Sequence, residues 1–276
     1  MSGRRRGAGS RPPALVIVLA VVGLIVFFVA PLAGLVQRAP WGDFWSTLTN
    51  PDVRTALRLS LQCSLAATGL SMLFGLPIAW LLARVEFRGK AIVRALAILP
   101  LVLPPVVGGV ALLYAFGRRG LVGQYLDRWF GITLPFHTSG VILAETFVAM
   151  PFLIITVEAA LRSLDTRYED AGATLGASRW TVLRRITLPA IAPSLAAGAA
   201  LTWARALGEF GATITFAGNF KGVTQTMPLA VYLALLDNTG TAIGLSLVLL
   251  TVSVVVLALV GRRAFGTRPV GAVVAA

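Results

Sequence analysis

The chain has very few residues of the kinds that build chemical sites. It contains one cysteine and one histidine among 276 residues, so it can form neither an intrachain disulfide nor a His/Cys metal cluster. No pattern typical of a nucleophile elbow or a catalytic triad is present. The single Gly-Lys pair, Gly89-Lys90, is followed by alanine, which excludes a Walker A loop. The sequence therefore predicts a chain that is not an enzyme and that binds no metal and no cofactor of its own.

Charge is also scarce. Charged residues make up 13% of the chain and hydrophobic residues 57%, and this charged share is about half that of a soluble domain. A net charge of +13 would favour nucleic acid as a partner in a soluble protein. In a membrane protein, however, Lys and Arg collect on the cytoplasmic side, so we expect no nucleic-acid partner.

Long apolar runs predict an all-α polytopic membrane protein, because backbone groups within lipid must pair inside a helix. We place six spans, at residues 13–36, 56–83, 92–117, 140–162, 190–216 and 241–260. The spans form one membrane domain, 13–260, with tails at 1–12 and 261–276. Sixteen Lys and Arg lie on the side of the N-terminal tail and seven on the other side. This bias predicts a multi-pass protein of the cell membrane with both termini in the cytoplasm.

Prolines interrupt the third span. The stretch from Leu99 to Pro105 contains three of them, and each removes a backbone donor and crowds the preceding turn. We expect this stretch not to be a regular helix. It is either a packing kink or a mobile segment that lines a pathway, since membranes tolerate distorted helices only against protein or water.

The loop at 165–189, between the fourth and fifth spans, is the longest cytoplasmic loop that we predict. Gly172 and Gly176 are four residues apart, so in a helix they would leave one face without side-chain bulk, open to another surface. Pro189 marks the predicted re-entry into the membrane. One interpretation is a basic loop that contacts anionic membrane lipid.

A family resemblance gives a second interpretation of this loop. Asp170-Ala171-Gly172, then Gly176, nine residues and Ile186-Thr187-Leu188-Pro189 resemble the EAA loop of ABC importer permeases. Asp170 stands where the family has Glu, and Gly172 where it has Ala. The resemblance implies a type I ABC importer permease core and a short helix that docks on a separate ATPase subunit, which would bind ATP-Mg. The residues to which it assigns this coupling are Asp170, Ala171, Gly172, Gly176, Ala177, Ile186, Leu188 and Pro189.

The fifth span contains two opposite charges, Arg205 and Glu209. They are four residues apart, so they share a helix face and can pair, and charges within a span face a partner or a polar cavity. They are either an internal ion pair or part of a conducting seam, where Gly208 and Gly211 permit close helix packing. The candidate pathway residues are Arg205, Gly208, Glu209, Gly211, Thr213 and Thr215.

The run from Arg205 to Asn219 resembles the oxyanion branch of these permeases, and segments 101–109 and 222–232 are most similar to its molybdate members. The resemblance implies a membrane subunit of an ATP-driven molybdate importer that works as a homodimer. It also implies an extracytoplasmic molybdate-binding protein that delivers the anion. The alternatives are a sulfate or thiosulfate permease and, from another class, an ATP-independent channel or secondary carrier.

Overall fold

The computed structural model describes residues 14–265, and within that range every regular element is a helix. The helices are α1 (Ala14–Leu24), α2 (Ala30–Gln37), α3 (Phe44–Thr49), α4 (Pro51–Arg84), α5 (Lys90–Val102), α6 (Pro105–Phe116), α7 (Gly123–Phe130), α8 (Thr138–Ser163), α9 (Arg167–Thr174), α10 (Arg179–Val182), α11 (Leu188–Leu207), α12 (Gly211–Ala217), α13 (Met227–Asp237) and α14 (Thr239–Phe265). Two π-helical turns, Ile25–Val29 and Leu183–Thr187, join α1 to α2 and α10 to α11.

Five helical segments are long and apolar enough to cross a membrane. They are Leu15–Gln37, Pro51–Arg84, Thr138–Ser163, Arg179–Leu207 and Thr239–Val256. At 1.5 Å per residue the 34-residue α4 is about 50 Å long, more than the roughly 30 Å hydrocarbon core requires. The prediction of an all-α polytopic membrane protein is confirmed.

The predicted third span is not one helix. It divides into α5 and α6, which have 13 and 12 residues, too few for either to cross a bilayer alone. The break lies at Leu103 and Pro104, where Leu103 has the extended ψ of 133° that a following proline favours. The predicted irregularity is therefore confirmed at Pro104, whereas Pro100 remains inside α5.

The predicted fifth span, 190–216, is not one continuous helix. Its helical run begins at Arg179, eleven residues before position 190, and ends at Leu207. The run passes through the π turn Leu183–Thr187 into α11, so Pro189 lies inside the helical run, and its place at the membrane boundary stays a prediction. Proline at 189 cannot donate to the carbonyl one turn earlier, which explains why the helix is irregular there. The chain then breaks at residues 208–210 before α12 begins.

The fourth span, α8, is the centre of the bundle. It packs mainly against α4 and α11, and its most apolar stretch is the most enclosed of the five spans. The cluster that joins the three helices consists of Ala79, Leu82, Leu153, Ile154, Val157, Leu161 and Ile191. Polar residues on α8 are thus held at fixed positions between its neighbours.

The two predicted tails fall largely outside the described part of the chain. Residues 1–12 and 266–276 lie beyond it, so the boundaries proposed for the tails stay predictions. At the C-terminal side α14 continues to Phe265, five residues past the predicted end of the sixth span at 260.

Candidate functional site

The predicted coupling loop does contain a short helix, α9. It ends in a Schellman motif, in which Gly176 N–H donates to Ala173 O at 3.0 Å and Ala177 N–H donates to Gly172 O at 3.1 Å. Gly176 has a φ of +83°, a conformation that costs a residue with a Cβ atom but not glycine. Gly176 therefore stops the helix.

The prediction that Gly172 and Gly176 share an open helix face is wrong. Gly176 lies beyond the last turn of α9. Gly172 is covered from within the chain, because a Cβ atom there would lie 2.6 Å from Ile186 Cδ1 and 3.3 Å from Val182 Cγ2. The small residue at 172 serves the packing of α9 against the turn that precedes α11.

The other residues assigned to coupling differ in their exposure to solvent. Asp170, Ala171 and Pro189 are exposed, and Ala177, Ile186 and Leu188 are half-buried. We did not predict the apolar side chains that this loop exposes, Tyr168, Leu175 and Trp180. Leu175 is 89% exposed, and such an apolar surface is typical of a contact site for another protein. The end of the bundle that carries this loop is called the loop end below.

Glu169 is a second residue that the motif did not reveal. Its Oε1 atom accepts hydrogen bonds from an Arg84 guanidinium nitrogen at 3.2 Å and from Thr187 Oγ1 at 2.8 Å. Arg84 is the last residue of α4, and Thr187 precedes α11. Because Arg84 and Glu169 are 85 positions apart, no local pattern could have indicated the pair.

A neighbouring ionic cluster joins α4, α5 and α8 at the loop end. Glu158 on α8 pairs with Arg94 on α5 and with Arg162 Nε at 2.9 Å, and Arg162 also donates to Leu82 O at 3.1 Å. Glu158 is an acidic residue near the end of an apolar span, a signal that could have found it. Its spacing of four from Arg162 is the helical pair spacing.

Two further ion pairs each have at least one largely exposed side chain. Lys90 Nζ lies 2.6 Å from Glu86 Oε1, and this hydrogen bond lowers the pKa of the Glu86 carboxyl. Lys221 Nζ lies 2.7 Å from Asp52 Oδ2, and this contact raises the pKa of Lys221. Ion pairs with exposed side chains contribute little stability.

The ion pair predicted between Arg205 and Glu209 is confirmed. An Arg205 guanidinium nitrogen lies 2.6 Å from Glu209 Oε2, with the Arg205 side chain 27% exposed and that of Glu209 1% exposed. The expectation of one continuous helix is wrong, since α11 ends at Leu207. Glu209 lies in the break and its Oε1 accepts from Ala212 N–H at 2.8 Å, near the start of α12. One carboxylate thus bonds both halves of the broken span, satisfying an otherwise unpaired amide of α12.

The remaining pathway candidates do not share one surface. Gly208 is exposed and, together with Phe210 and Tyr232, lines a cleft of about 550 Å³ between α13 and α14, so its predicted role in close helix packing stays a prediction. Gly211 does pack closely, because a Cβ atom there would lie 2.8 Å from Pro105 Cβ. The breaks in the third and fifth spans therefore pack against each other.

Thr213 and Thr215 lie away from that cleft. Thr213 is fully buried, and its hydroxyl has no hydrogen-bond partner within residues 14–265. Thr215 is half-buried, and its hydroxyl donates to Gly211 O at 2.8 Å. Of the six candidates, Gly208 is exposed in this chain by itself, Arg205 and Thr215 are half-buried, and the other three are buried.

A further buried acid, Glu145 on α8, was missed as well. It is 1% exposed, and its Oε2 has no hydrogen-bond partner in the described part of the chain. An acidic residue inside an apolar span was again the available signal. Nowhere in the described range do three His, Cys, Asp or Glu residues cluster as metal ligands would.

The chain is similar to relatives of known function over most of its length. The chain is 48% identical over 251 residues to the molybdenum transport system permease protein ModB of Mycobacterium tuberculosis, covering 91% of this chain and 94% of that protein. It is 35% identical over 247 residues to the sulfate transport system permease protein CysT of Escherichia coli, covering 87% and 89%.

Solved structures agree on the fold. The chain superimposes with a TM-score of 0.72 on a chain of a bacterial ABC transporter involved in the import of the acidic polysaccharide alginate, covering 92% of this chain and 95% of that chain at 20% identity. The family described as binding-protein-dependent transport system inner membrane component matches residues 75–268, which include both breaks and the coupling loop. The chain therefore belongs to the family of binding-protein-dependent transport system inner membrane components.

Proposed function

We propose that this chain is the membrane permease subunit of an ATP-driven molybdate importer. The observation that carries the proposal is the 48% identity to a molybdenum transport permease over 91% of the chain. The exposed, helix-bearing loop 165–189 supports it, because a transport subunit without a nucleotide site needs a surface for a motor. The family membership of residues 75–268 supports the same class.

The motor is a separate ATPase subunit that binds ATP-Mg and hydrolyses ATP. Its docking surface on this chain is α9 with the exposed Leu175, Tyr168 and Trp180. ATP binding closes the ATPases and moves the coupling loops together, which turns the pathway outward. Hydrolysis then returns the pathway to the inward-open state.

The remaining partners follow from the same architecture. An extracytoplasmic molybdate-binding protein delivers the anion, and a second copy of this chain completes the membrane unit within the lipid of the cell membrane. Both termini lie in the cytoplasm, since Lys and Arg are concentrated at the loop end.

The anion passes the face of the fifth span that Arg205 and Gly208 occupy. The Arg205 side chain is 27% exposed although it pairs with Glu209, so it attracts a dianion without holding it tightly. Weak binding is required because an ion that is bound too firmly does not leave. Thr213 and Thr215, which are buried or half-buried here, join the pathway only after the two broken spans move apart.

Uptake of radiolabelled molybdate tests the proposal. The chain is reconstituted in vesicles with its ATPase and binding protein, and uptake is measured with and without excess sulfate. ATP-dependent molybdate uptake that survives excess sulfate is expected. Sulfate uptake without molybdate uptake would instead favour the sulfate permease, the alternative that the 35% identity to a sulfate permease supports.

The same vesicles test the ATP-independent alternative. If the chain is a channel or secondary carrier, molybdate enters vesicles that lack the ATPase. We expect no uptake without the ATPase, and none with the ATPase when ATP is replaced by a non-hydrolysable analogue.

A further inference from the structure

Three structural elements meet at the carboxylate of Glu169. Its Oε1 atom bonds Arg84 at the end of α4 and Thr187 at the end of the π turn before α11, while Glu169 itself belongs to α9. Hydrogen bonds to an ionised acceptor are roughly twice as strong as neutral ones. The side chains of Arg84 and Glu169 are only 14% and 20% exposed, so water screens the pair less than an exposed one. We call these three residues the Glu169 junction.

The backbone is a poor route for moving the spans from α9. Residues 164–166 between α8 and α9 are not helical, and Leu164 is extended with a ψ of 125°. At its other end α9 stops at Gly176. Because α9 is joined to its neighbours by non-helical backbone on both sides, side-chain contacts must carry its displacement.

The side-chain contacts of α9 connect it to two elements, the π turn before α11 and the end of α4. Apolar packing of Gly172 against Ile186 connects α9 to the π turn, and Thr187 adds a hydrogen bond to the same turn. In the described range the ion pair with Arg84 is the only one that links α9 to a membrane-spanning helix. Asp170, next in the sequence, is exposed and stays available to a partner. The two adjacent acids thus have different surroundings.

We infer that Glu169 is a positioning residue that transmits the displacement of α9 to α4 and α11 through the Glu169 junction. The inference rests on the proposed function for the motor that moves α9. Because Arg84 and Thr187 hold the Glu169 carboxylate within the chain and its side chain is only 20% exposed, we expect the ATPase to dock on the exposed residues of this loop and not on Glu169. Breaking the junction therefore uncouples ATP hydrolysis from transport without releasing the ATPase.

Charge reversal tests this directly. Arg84→Glu and Glu169→Arg are each expected to keep the ATPase during purification and to lower the molybdate imported per ATP hydrolysed by about five- to tenfold, the lower end of the usual range for a coupling between two sites. The double variant, which restores the pair with its charges exchanged, is expected to recover most of the loss. Arg88→Glu, an exposed change of the same kind on the turn after α4, is the control and keeps normal coupling.

Two outcomes would overturn the inference. Loss of the ATPase in Glu169→Arg with no recovery in the double variant would place Glu169 in the docking surface. Normal coupling in both single variants would show that the junction transmits nothing. Should the reversed variants fail to fold, Glu169→Gln and Thr187→Val remove the charge or the hydroxyl with almost no change of shape, and the same predictions apply with smaller effects.

Hydrogen exchange of the purified permease gives a readout that needs no substrate. Glu169→Gln is expected to speed amide exchange in α9 and in the last turn of α4, and Arg88→Glu is expected to leave both unchanged. Unchanged amide exchange in Glu169→Gln would contradict the inference that the junction holds α9, even if molybdate is transported. Conversely, if the unmodified protein transports no molybdate, the proposed function fails while this measurement still decides whether the junction holds α9.

Discussion

At the residue scale, two buried carboxyls inside the membrane domain have opposite surroundings. Glu209 bonds Arg205 and the amide of Ala212, whereas Glu145 leaves one oxygen without a partner in the described chain. Burying a charge without a partner costs several kcal/mol, and removing one member of a buried pair is also costly. The same substitution at the two positions should therefore have different effects.

We predict that Glu209→Gln lowers the stability of the permease and that Glu145→Gln does not. Glu209→Gln leaves Arg205 without its counter-ion, at a cost of about 1–3 kcal/mol, less than for a fully buried pair because Arg205 is partly exposed. Glu145→Gln keeps the shape and removes a buried acid that leaves one oxygen without a partner in the described chain. Thermal unfolding in detergent measures both. An equal fall in Tm for the two variants would contradict the assigned surroundings.

The sequence could predict the Arg205–Glu209 contact because the two residues are only four positions apart, a spacing that brings their side chains within reach. It could not predict that the helix breaks between them, since Gly208 alone does not end a helix. The partner of Glu169 could not be found either, because Arg84 reaches it only after α4 and α9 have been brought together by packing elsewhere. Local spacing thus revealed the ion pair at 205–209, and tertiary structure alone revealed the one at 84–169.

At the element scale, the broken third and fifth spans rely on glycine where they touch. A Cβ atom on Gly109 would lie 2.7 Å from Thr215 Cβ and 2.8 Å from the carbonyl of Ala212. Because α12 approaches α6 through its backbone there, a methyl group cannot be accommodated by a side chain moving aside. The proline pattern predicted a break in the third span but not its partner, since nothing in 99–105 indicates a second break at 208–210.

We predict that Gly109→Ala destabilises the protein by about 1–3 kcal/mol, the usual cost of overpacking. Gly69→Ala on α4 is the matched control, because nothing lies within 4 Å of a Cβ atom there and alanine favours a helix over glycine by about 1 kcal/mol. Thermal unfolding of both variants is the measurement. If Gly109→Ala is as stable as Gly69→Ala, α6 and α12 do not pack against each other as described.

The end of α9 gives a second prediction at this scale. Gly176 has a positive φ, which a β-branched residue adopts only at a cost of about 1–2 kcal/mol and which asparagine tolerates better. Gly176→Val is expected to reduce co-purification of the ATPase severalfold, and Gly176→Asn is expected to preserve most of it.

Gly222 provides the control for this effect. It has a similar φ of +76° but lies in the loop after α12, far along the chain from the coupling loop. Gly222→Val carries the same strain and should leave ATPase association unchanged. An equal loss of the ATPase in the two valine variants would mean that general destabilisation, and not the end of α9, controls docking.

At the scale of the whole molecule, the arginines of distant segments converge at the loop end. Arg84 pairs with Glu169, and Arg94 pairs with Glu158, so the ends of α4, α5 and α8 lie together with the coupling loop. The count of Lys and Arg predicted that these segments share one side of the membrane. The prediction that this side is the cytoplasm depends on the positive-inside rule and calls for a measurement in a membrane.

The single cysteine makes that measurement simple. Cys63 is fully buried, so the unmodified protein should react little with a membrane-impermeant maleimide, and Cys63→Ser removes the remaining background. In that background Arg88→Cys places a thiol on the turn between α4 and α5, and Gln124→Cys places one on α7; both positions are exposed. We expect Gln124→Cys to be labelled in intact cells and Arg88→Cys only after the membrane is permeabilised. The reverse pattern would place the coupling loop outside, where no ATPase could dock, and would overturn both the topology and the proposed function.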